Sequence, residues 1–211
     1  MYILNGDLGI FTNELTPSLE ILQLDNNEIY NIEDSSFSNL TKFKKIDLEQ
    51  NRLEFWRPEW FENTLSLEFP KLKEIWFNYN EITMIQEDAF KEVRYLEYLG
   101  VAHNRLTKIE AISFPNTLRI STLFINANYL NYMTDKVLQK LAAVKIVMDY
   151  NPWKCECLDH VCKETIYRTV LFLKNSTGTC TDTVDDELTQ RYIGLLRNLS
   201  NPVDLTCAQL E

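Results

Sequence analysis

The residues of this chain with the sharpest chemistry are five cysteines and two histidines. Cys155, Cys157, Cys162, Cys180 and Cys207 all fall after residue 154. Thiols clustered in this way read as a disulfide framework, which forms in oxidising compartments and seldom in a reducing cytosol. Sequons at Asn39, Asn175 and Asn198 add glycan acceptors and point the same way. Zinc ligation by Cys155, Cys157, His160 and Cys162 is the competing chemistry. That spacing would strain a tetrahedral site, and disulfides would use the same sulfurs, so no metal and no cofactor are expected. Catalysis has little to draw on. His103 and His160 are the only histidines, and the chain has no Gly-x-Ser-x-Gly, His-Glu-x-x-His or phosphate-cradling glycine loop. The expectation is a binding protein rather than an enzyme.

The elements that position these residues must come from 211 residues, 45% hydrophobic and 25% charged, enough for a substantial core. Five glycines and six prolines exclude collagen-like or low-complexity sequence. No stretch approaches the ~18 uninterrupted apolar residues of a membrane span, so no membrane insertion is expected. Twenty-one basic residues against 31 acidic ones give a formal charge of −10, which opposes nucleic acid and anionic membrane surfaces as partners. The sequence starts Met1-Tyr-Ile-Leu-Asn-Gly-Asp7, without the basic and apolar regions of a signal peptide. Together with the cysteines, this reads as a secreted or ectodomain chain whose leader has been removed.

A period organises the first three quarters. Six segments have the form apolar-x-x-apolar-x-apolar-x-x-Asn: Leu19 to Asn27, Phe43 to Asn51, Leu72 to Asn80, Leu96 to Asn104, Ile120 to Asn128 and Ala143 to Asn151. The asparagines are 24, 29, 24, 24 and 23 residues apart, within the 20 to 29 range of leucine-rich repeats. Each apolar-x-apolar pair is a short strand, and a later apolar set, such as Ile29, Ile32, Phe37 and Leu40, returns the chain along a convex side. One such repeat cannot bury its own face, so the repeats must stack. The asparagines are structural, bonding backbone groups where the strand turns. Trp56, Trp60 and Phe61, in the long second repeat, read as convex-side core.

Strand alternation sends the residues between the apolar positions to the concave face. The central column is Gln23, Asp47, Trp76, Gly100, Phe124 and Val147. The preceding one is Ile21, Lys45, Glu74, Tyr98, Thr122 and Lys145, and the following one Asp25, Glu49, Asn78, Ala102, Asn126 and Asp149. The residue before each asparagine adds Tyr79 and His103. Asp47, Glu49, Glu74, Trp76, Tyr79, Tyr98, His103 and Phe124 are the expected partner-binding residues, because exposed aromatics beside polar groups make hot spots. The alternative is that the rings only stack to stiffen the sheet. Acids on these columns, Asp25, Asp47, Glu49, Glu74 and Asp149, outnumber Lys45 and Lys145, so a protein partner with a basic patch is expected.

These motifs resemble the extracellular leucine-rich-repeat family over residues 19–211. The resemblance implies an α/β leucine-rich-repeat solenoid with a curved parallel sheet. Residues 1–18 would form a partial first repeat, 19–151 the repeats and 151–211 a cysteine-rich carboxy-terminal cap. The run Asn151-Pro-Trp153-Lys-Cys155-Glu-Cys157 resembles that cap, which implies Cys155–Cys180 and Cys157–Cys207 pairs and Trp153 packed over the last repeat. Sequence alone leaves three connectivities for four cysteines. Leu158 to Leu173 reads as a short helix. Cys162 is surplus: a buried free thiol, an intermolecular disulfide to a partner, or a rearranged pair within the cap. Within the family the chain resembles arthropod members, including mosquito leucine-rich immune proteins and Toll-like ectodomains, which implies innate immune recognition. A cell-adhesion or guidance receptor ectodomain and a self-associating matrix protein share the same motifs.

Overall fold

The computed structural model describes residues 17–153, apart from 39, 41, 62–71 and 92, together with short segments at 2–3, 10–11, 170–173 and 202–203. The strands in chain order begin with β1 (Tyr2–Ile3), β2 (Ile10–Phe11), β3 (Ile21–Gln23), β4 (Asn31–Ile32) and β5 (Lys45–Asp47). They continue with β6 (Phe55–Trp56), β7 (Glu74–Trp76), β8 (Met84–Ile85), β9 (Tyr95–Gly100), β10 (Arg119–Phe124) and β11 (Lys145–Val147). The last two are β12 (Val170–Leu173) and β13 (Pro202–Val203). Among the described residues one sheet runs β1-β3-β5-β7-β9-β10-β11-β12-β13, parallel until the final antiparallel pair. A parallel sheet in strict sequence order is what a stacked repeat produces, because every strand must return over the convex side to lie beside its predecessor.

The register follows the repeat. Leu22, Ile46, Ile75, Leu99, Leu123 and Ile146 are aligned partners, and all are fully buried. Two residues on, Leu24, Leu48, Phe77, Val101, Ile125 and Met148 form a second fully buried row. Each aliphatic side chain so buried contributes roughly 1.5–3 kcal/mol. The first apolar position holds through Leu19, Phe43, Leu72, Leu96 and Ile120 and then fails: Ala143 is exposed and Val144 is buried in its place. The short helix α1 (Asp135–Leu141) precedes this strand, and its closing turn, with Val144 N–H bonded to the Leu141 carbonyl at 2.9 Å, brings Val144 inward.

The asparagines lock neighbouring repeats together. The amide of Asn104 donates to the Val101 and Ala102 carbonyls of its own repeat and to the Phe77 carbonyl of the one before, at 2.8–3.0 Å. Its Oδ1 accepts the Ile82 N–H at 3.0 Å. Asn51, Asn80, Asn128 and Asn151 repeat the pattern, reaching back to the Leu24, Leu48, Val101 and Ile125 carbonyls. The turn that aims each asparagine inward uses a left-handed residue just before it. Asn26, Gln50, Tyr79, His103, Ala127 and Tyr150 have φ between 53° and 57°, and none is glycine. Six non-glycine residues in a costly region persist because the asparagine bonds over-determine the turn.

On the convex side β2 pairs with β4 and β6 with β8. Trp56, Trp60 and Phe61 are buried there, as their position in the second repeat predicts. The ring of Trp60 stacks on Phe77 at 5.9 Å and 8°, and Trp56 lies 4.4 Å from Phe77 while its indole N–H donates to the Ala89 carbonyl at 3.0 Å. In the fifth repeat the return is α1, capped by Thr134, whose side chain accepts the Val137 N–H at 3.4 Å. Trp153 is buried against the last described repeat, and its indole N–H donates to the Met148 carbonyl at 2.7 Å.

The helix expected over Leu158–Leu173 does not include its last four residues. Val170–Leu173 is strand β12, paired through Ile146↔Val170 and Val147↔Leu171. Without it, β11 would present a row of unpaired N–H and C=O groups, and the apolar run Val-Leu-Phe-Leu suits a strand that closes that edge. Residues 154–169, 174–201 and 204–211 lie outside the described residues, and with them all five cysteines and the sequons at Asn175 and Asn198, as does Asn39.

Candidate functional site

The concave columns read from strand alternation are in register. Gln23, Asp47, Trp76, Gly100, Phe124 and Val147 are successive partners, as are Ile21, Lys45, Glu74, Tyr98, Thr122 and Lys145. They are not equally open. Val147 is fully buried, Asp149 is 2% exposed, Ala102 and Asn126 are buried, and Asp47 is 8% exposed. Curvature explains this loss. Concave side chains converge, and beyond each strand the chain turns under the left-handed residue; the third column is partly open at Asp25, Glu49 and Asn78 and covered at Ala102, Asn126 and Asp149.

Gly100 organises the open part. A β-carbon there would lie 2.5 Å from Cε3 of Trp76 and 2.9 Å from the Asn78 amide, against an ordinary contact of about 3.5–4.0 Å. The Trp76 ring therefore leans across the neighbouring strand into the space that the glycine leaves. It meets Phe124, two strands away, at 5.5 Å and stacks on Tyr98 at 5.8 Å and 22°. The indole N–H donates to Glu74 Oε2 at 3.1 Å, which fixes the ring's azimuth. Trp76, Tyr98 and Phe124 are thus one partly exposed aromatic surface over β7, β9 and β10.

A second stack lies at the strand ends. Tyr79 and His103 are 4.1 Å apart at 17°. Burial pushes His103 down to about 4, so its ring is neutral at physiological pH. Tyr79 is raised, first by burial and then by the charge of Glu49. Asn78 ties this edge together, donating to Glu49 Oε1 while its own Oδ1 accepts the Ala102 N–H at 2.7 Å. Glu49 is raised above its ordinary value, mainly by burial, against the lowering effect of the Asn78 bond and with a further rise from Asp47.

The acidic zone is smaller than the count of carboxylates implies. Asp47 is bonded to Lys45 at 3.1 Å and largely covered, and Asp149 is buried, so the acidic display falls to Asp25, Glu49 and Glu74, each partly exposed. Gly100 and Asn78 are the residues that sequence reasoning did not single out. The signal for Gly100 was its place between Trp76 and Phe124 in one column. For Asn78 it was the asparagine two residues before the repeat's own Asn80. Among the described residues no group of histidine, cysteine and carboxylate side chains could hold a metal ion. No helix among them is long and apolar enough to cross a membrane.

Comparison with known proteins agrees with this architecture. The Leucine rich repeat family model matches residues 17–69, and the BspA type Leucine rich repeat region model matches residues 68–151. Human mimecan is 29% identical over 157 residues, covering 67% of this chain and 49% of mimecan. Trophoblast glycoprotein of Macaca fascicularis is 30% identical over 81 residues, 37% of this chain and 19% of the relative. The chain thus matches half or less of each. Among solved structures, human 5T4 (trophoblast glycoprotein) superposes with a TM-score of 0.60 at 21% identity, covering 90% of this chain and 72% of that one. A chain from an octameric complex of Latrophilin 3, Unc5D and FLRT2 (LRR) gives 0.62 at 23% identity, covering 86% and 58%. With two such models spanning residues 17–151 end to end, and the asparagine-locked parallel sheet beneath them, the chain belongs to the leucine-rich-repeat proteins.

Proposed function

We propose that this chain is an extracellular recognition module that binds a protein partner through its concave face. Trp76, Tyr98 and Phe124 form the apolar centre, Tyr79 and His103 extend it, and Asp25, Glu49 and Glu74 form an acidic margin, with Asp47 largely covered beneath it. The observation that carries this reading is the Trp76 ring seated over Gly100. Large aromatic area held in a fixed orientation, next to charged groups, is what interface anchors consist of. A basic patch on the partner complements the margin and the chain's −10 charge. The same charge disfavours a nucleic-acid ligand, although one structural neighbour, with a TM-score of 0.56, is a TLR13–ssRNA13 complex.

Innate immune recognition is the setting that the resemblance to Toll-like ectodomains favours. An adhesion or guidance ectodomain is the second reading, favoured by the neighbour found in complex with Latrophilin 3 and Unc5D. In either setting the Cys155–Cys180 and Cys157–Cys207 pairs close the stack, and Cys162 is available to a disulfide-linked partner. The sequons at Asn39, Asn175 and Asn198 carry glycans. The test is capture of partners from native extracellular fluid on the immobilised chain, alongside a Glu49→Lys/Glu74→Lys variant. A protein retained by the native chain, weakened by salt and lost on charge reversal, supports the proposal. Retention that is indifferent to both salt and charge reversal overturns the acidic-margin assignment.

A further inference from the structure

A second site lies away from the concave face, between the 3₁₀ turn at Ala111–Ser113 and α1. A cleft of about 510 Å³ opens there, within the size range of pockets that take small ligands. Its apolar lining comes from Phe114, Leu118, Ile120, Leu141 and Val144. Ile112, 55% exposed, continues the apolar surface onto the rim.

The charges around the cleft run against the rest of the molecule. The chain carries 31 acidic and 21 basic residues, yet the lining holds no carboxylate and three cations: Arg119, Lys136 and Lys140. Lys136 and Lys140 are four residues apart on α1 and so share one helix face. Arg119 comes from a different element, β10. None of the three is ion-paired among the described residues. Lys140 donates to the Phe114 carbonyl, and Arg119 to the carbonyls of Asn116 (3.0 Å) and Leu118 (3.4 Å). Both are therefore held at the cleft by neutral acceptors, with no ion-pair partner among the described residues. Cations that are fixed in place and lack counter-ions, above an apolar floor, select a ligand with one anionic head and one apolar body.

We propose that this cleft binds a small amphipathic carboxylate, its head between Arg119 and the two lysines and its apolar part along Phe114, Ile120 and Val144. A protein segment is the poorer fit, because a single cleft of about 510 Å³ has the volume of a small-ligand pocket rather than the extended surface of a protein interface.

Isothermal titration calorimetry of the full chain with decanoate, decyltrimethylammonium and acetate tests the proposal. Decanoate is expected to bind at least tenfold more tightly than the ammonium analogue, and acetate not measurably. Gln139→Trp, at an exposed lining position, fills the cleft and should abolish decanoate binding. Arg119→Glu/Lys136→Glu should weaken it at least tenfold. Circular dichroism confirms the fold of each variant, and the double variant keeps the test alive if Gln139→Trp does not fold. Equal binding of the two amphiphiles, or decanoate affinity unchanged in a folded variant, overturns the proposal. So would a short acidic, apolar peptide that binds in a Gln139→Trp-sensitive manner where decanoate does not.

Discussion

Replacing Asn104 with alanine removes four hydrogen bonds at once, and their partners set the size of the loss. The Val101 carbonyl keeps the Asn128 amide at 3.0 Å, and the Ala102 carbonyl keeps the Tyr79 N–H at 3.0 Å. Ile82 N–H has no second acceptor among the described residues, so it becomes a buried orphan at a cost of about 1–3 kcal/mol. The three lost donations add about 0.5–1 kcal/mol each, since carbonyls tolerate partial satisfaction better than N–H groups do. The sum is about 2.5–6 kcal/mol, a large share of the 5–15 kcal/mol that holds a typical domain. Urea unfolding followed by far-UV circular dichroism measures it. Hydrogen exchange at Ile82 supplies the local readout, because protection there should fall furthest. Asn104→Asp should be at least as damaging at neutral pH, since it turns a second acceptor toward three carbonyls. Asn116→Ala, at an exposed turn, should change stability by no more than about 0.5 kcal/mol. A loss below about 1 kcal/mol for Asn104→Ala, with Ile82 protection intact, would refute the view that the asparagines join one repeat to the next.

Gly100→Ala should displace the Trp76 ring, costing about 1–3 kcal/mol as an overpacked site and erasing the near-UV dichroism of the Trp76–Tyr98 stack; an unchanged near-UV spectrum would contradict the seating of the ring. His103, lowered to about 4 by burial, should show no imidazole titration by NMR between pH 5 and 8. Because its folded pKa lies below the unfolded value of about 6.5, the unfolded chain binds more protons in that interval. His103 therefore contributes stability that is present above about pH 6.5 and lost as pH falls toward 4. His103→Gln should flatten the slope, and an imidazole midpoint between 6 and 7 would contradict the buried stack. Trp56→Ala should cost about 3–5 kcal/mol, read by thermal unfolding, because it empties the centre of the convex aromatic cluster.

The parts of this fold legible in sequence were those that repeat. Six copies of one apolar pattern fixed the strands, the register, the buried rows and the structural role of the asparagines. Trp56, Trp60 and Phe61 were legible as core because aromatic area of that size in a convex return has no other place to go. What the pattern hid depends on neighbours rather than on the repeat. The left-handed turns carry Tyr, His, Gln and Ala where local preference would place glycine, since the conformation is imposed by bonds from the next repeat. Asp47, Val147 and Asp149 alternate outward yet are covered, because alternation gives direction and curvature decides exposure. Helix α1 has a local signature, Thr134 as cap with Val137, Leu138 and Leu141 inward, but the repeat period alone does not distinguish it from the other convex returns. The aromatic surface was legible as residues and not as geometry. Ring stacking and partial exposure coexist there, since Trp76 packs on Tyr98 and Phe124 while all three stay partly open.

The concave face is tested most directly by titrating a captured partner against the native chain and a Trp76→Ala/Phe124→Ala variant. Buried aromatic anchors of this kind are worth about 2–4 kcal/mol each to an interface, so the double variant should bind at least 100-fold more weakly. Its thermal midpoint should move by only a few degrees, because neither ring belongs to the buried rows of the core. Affinity within threefold of the native chain would contradict the assignment and move recognition elsewhere on the solenoid.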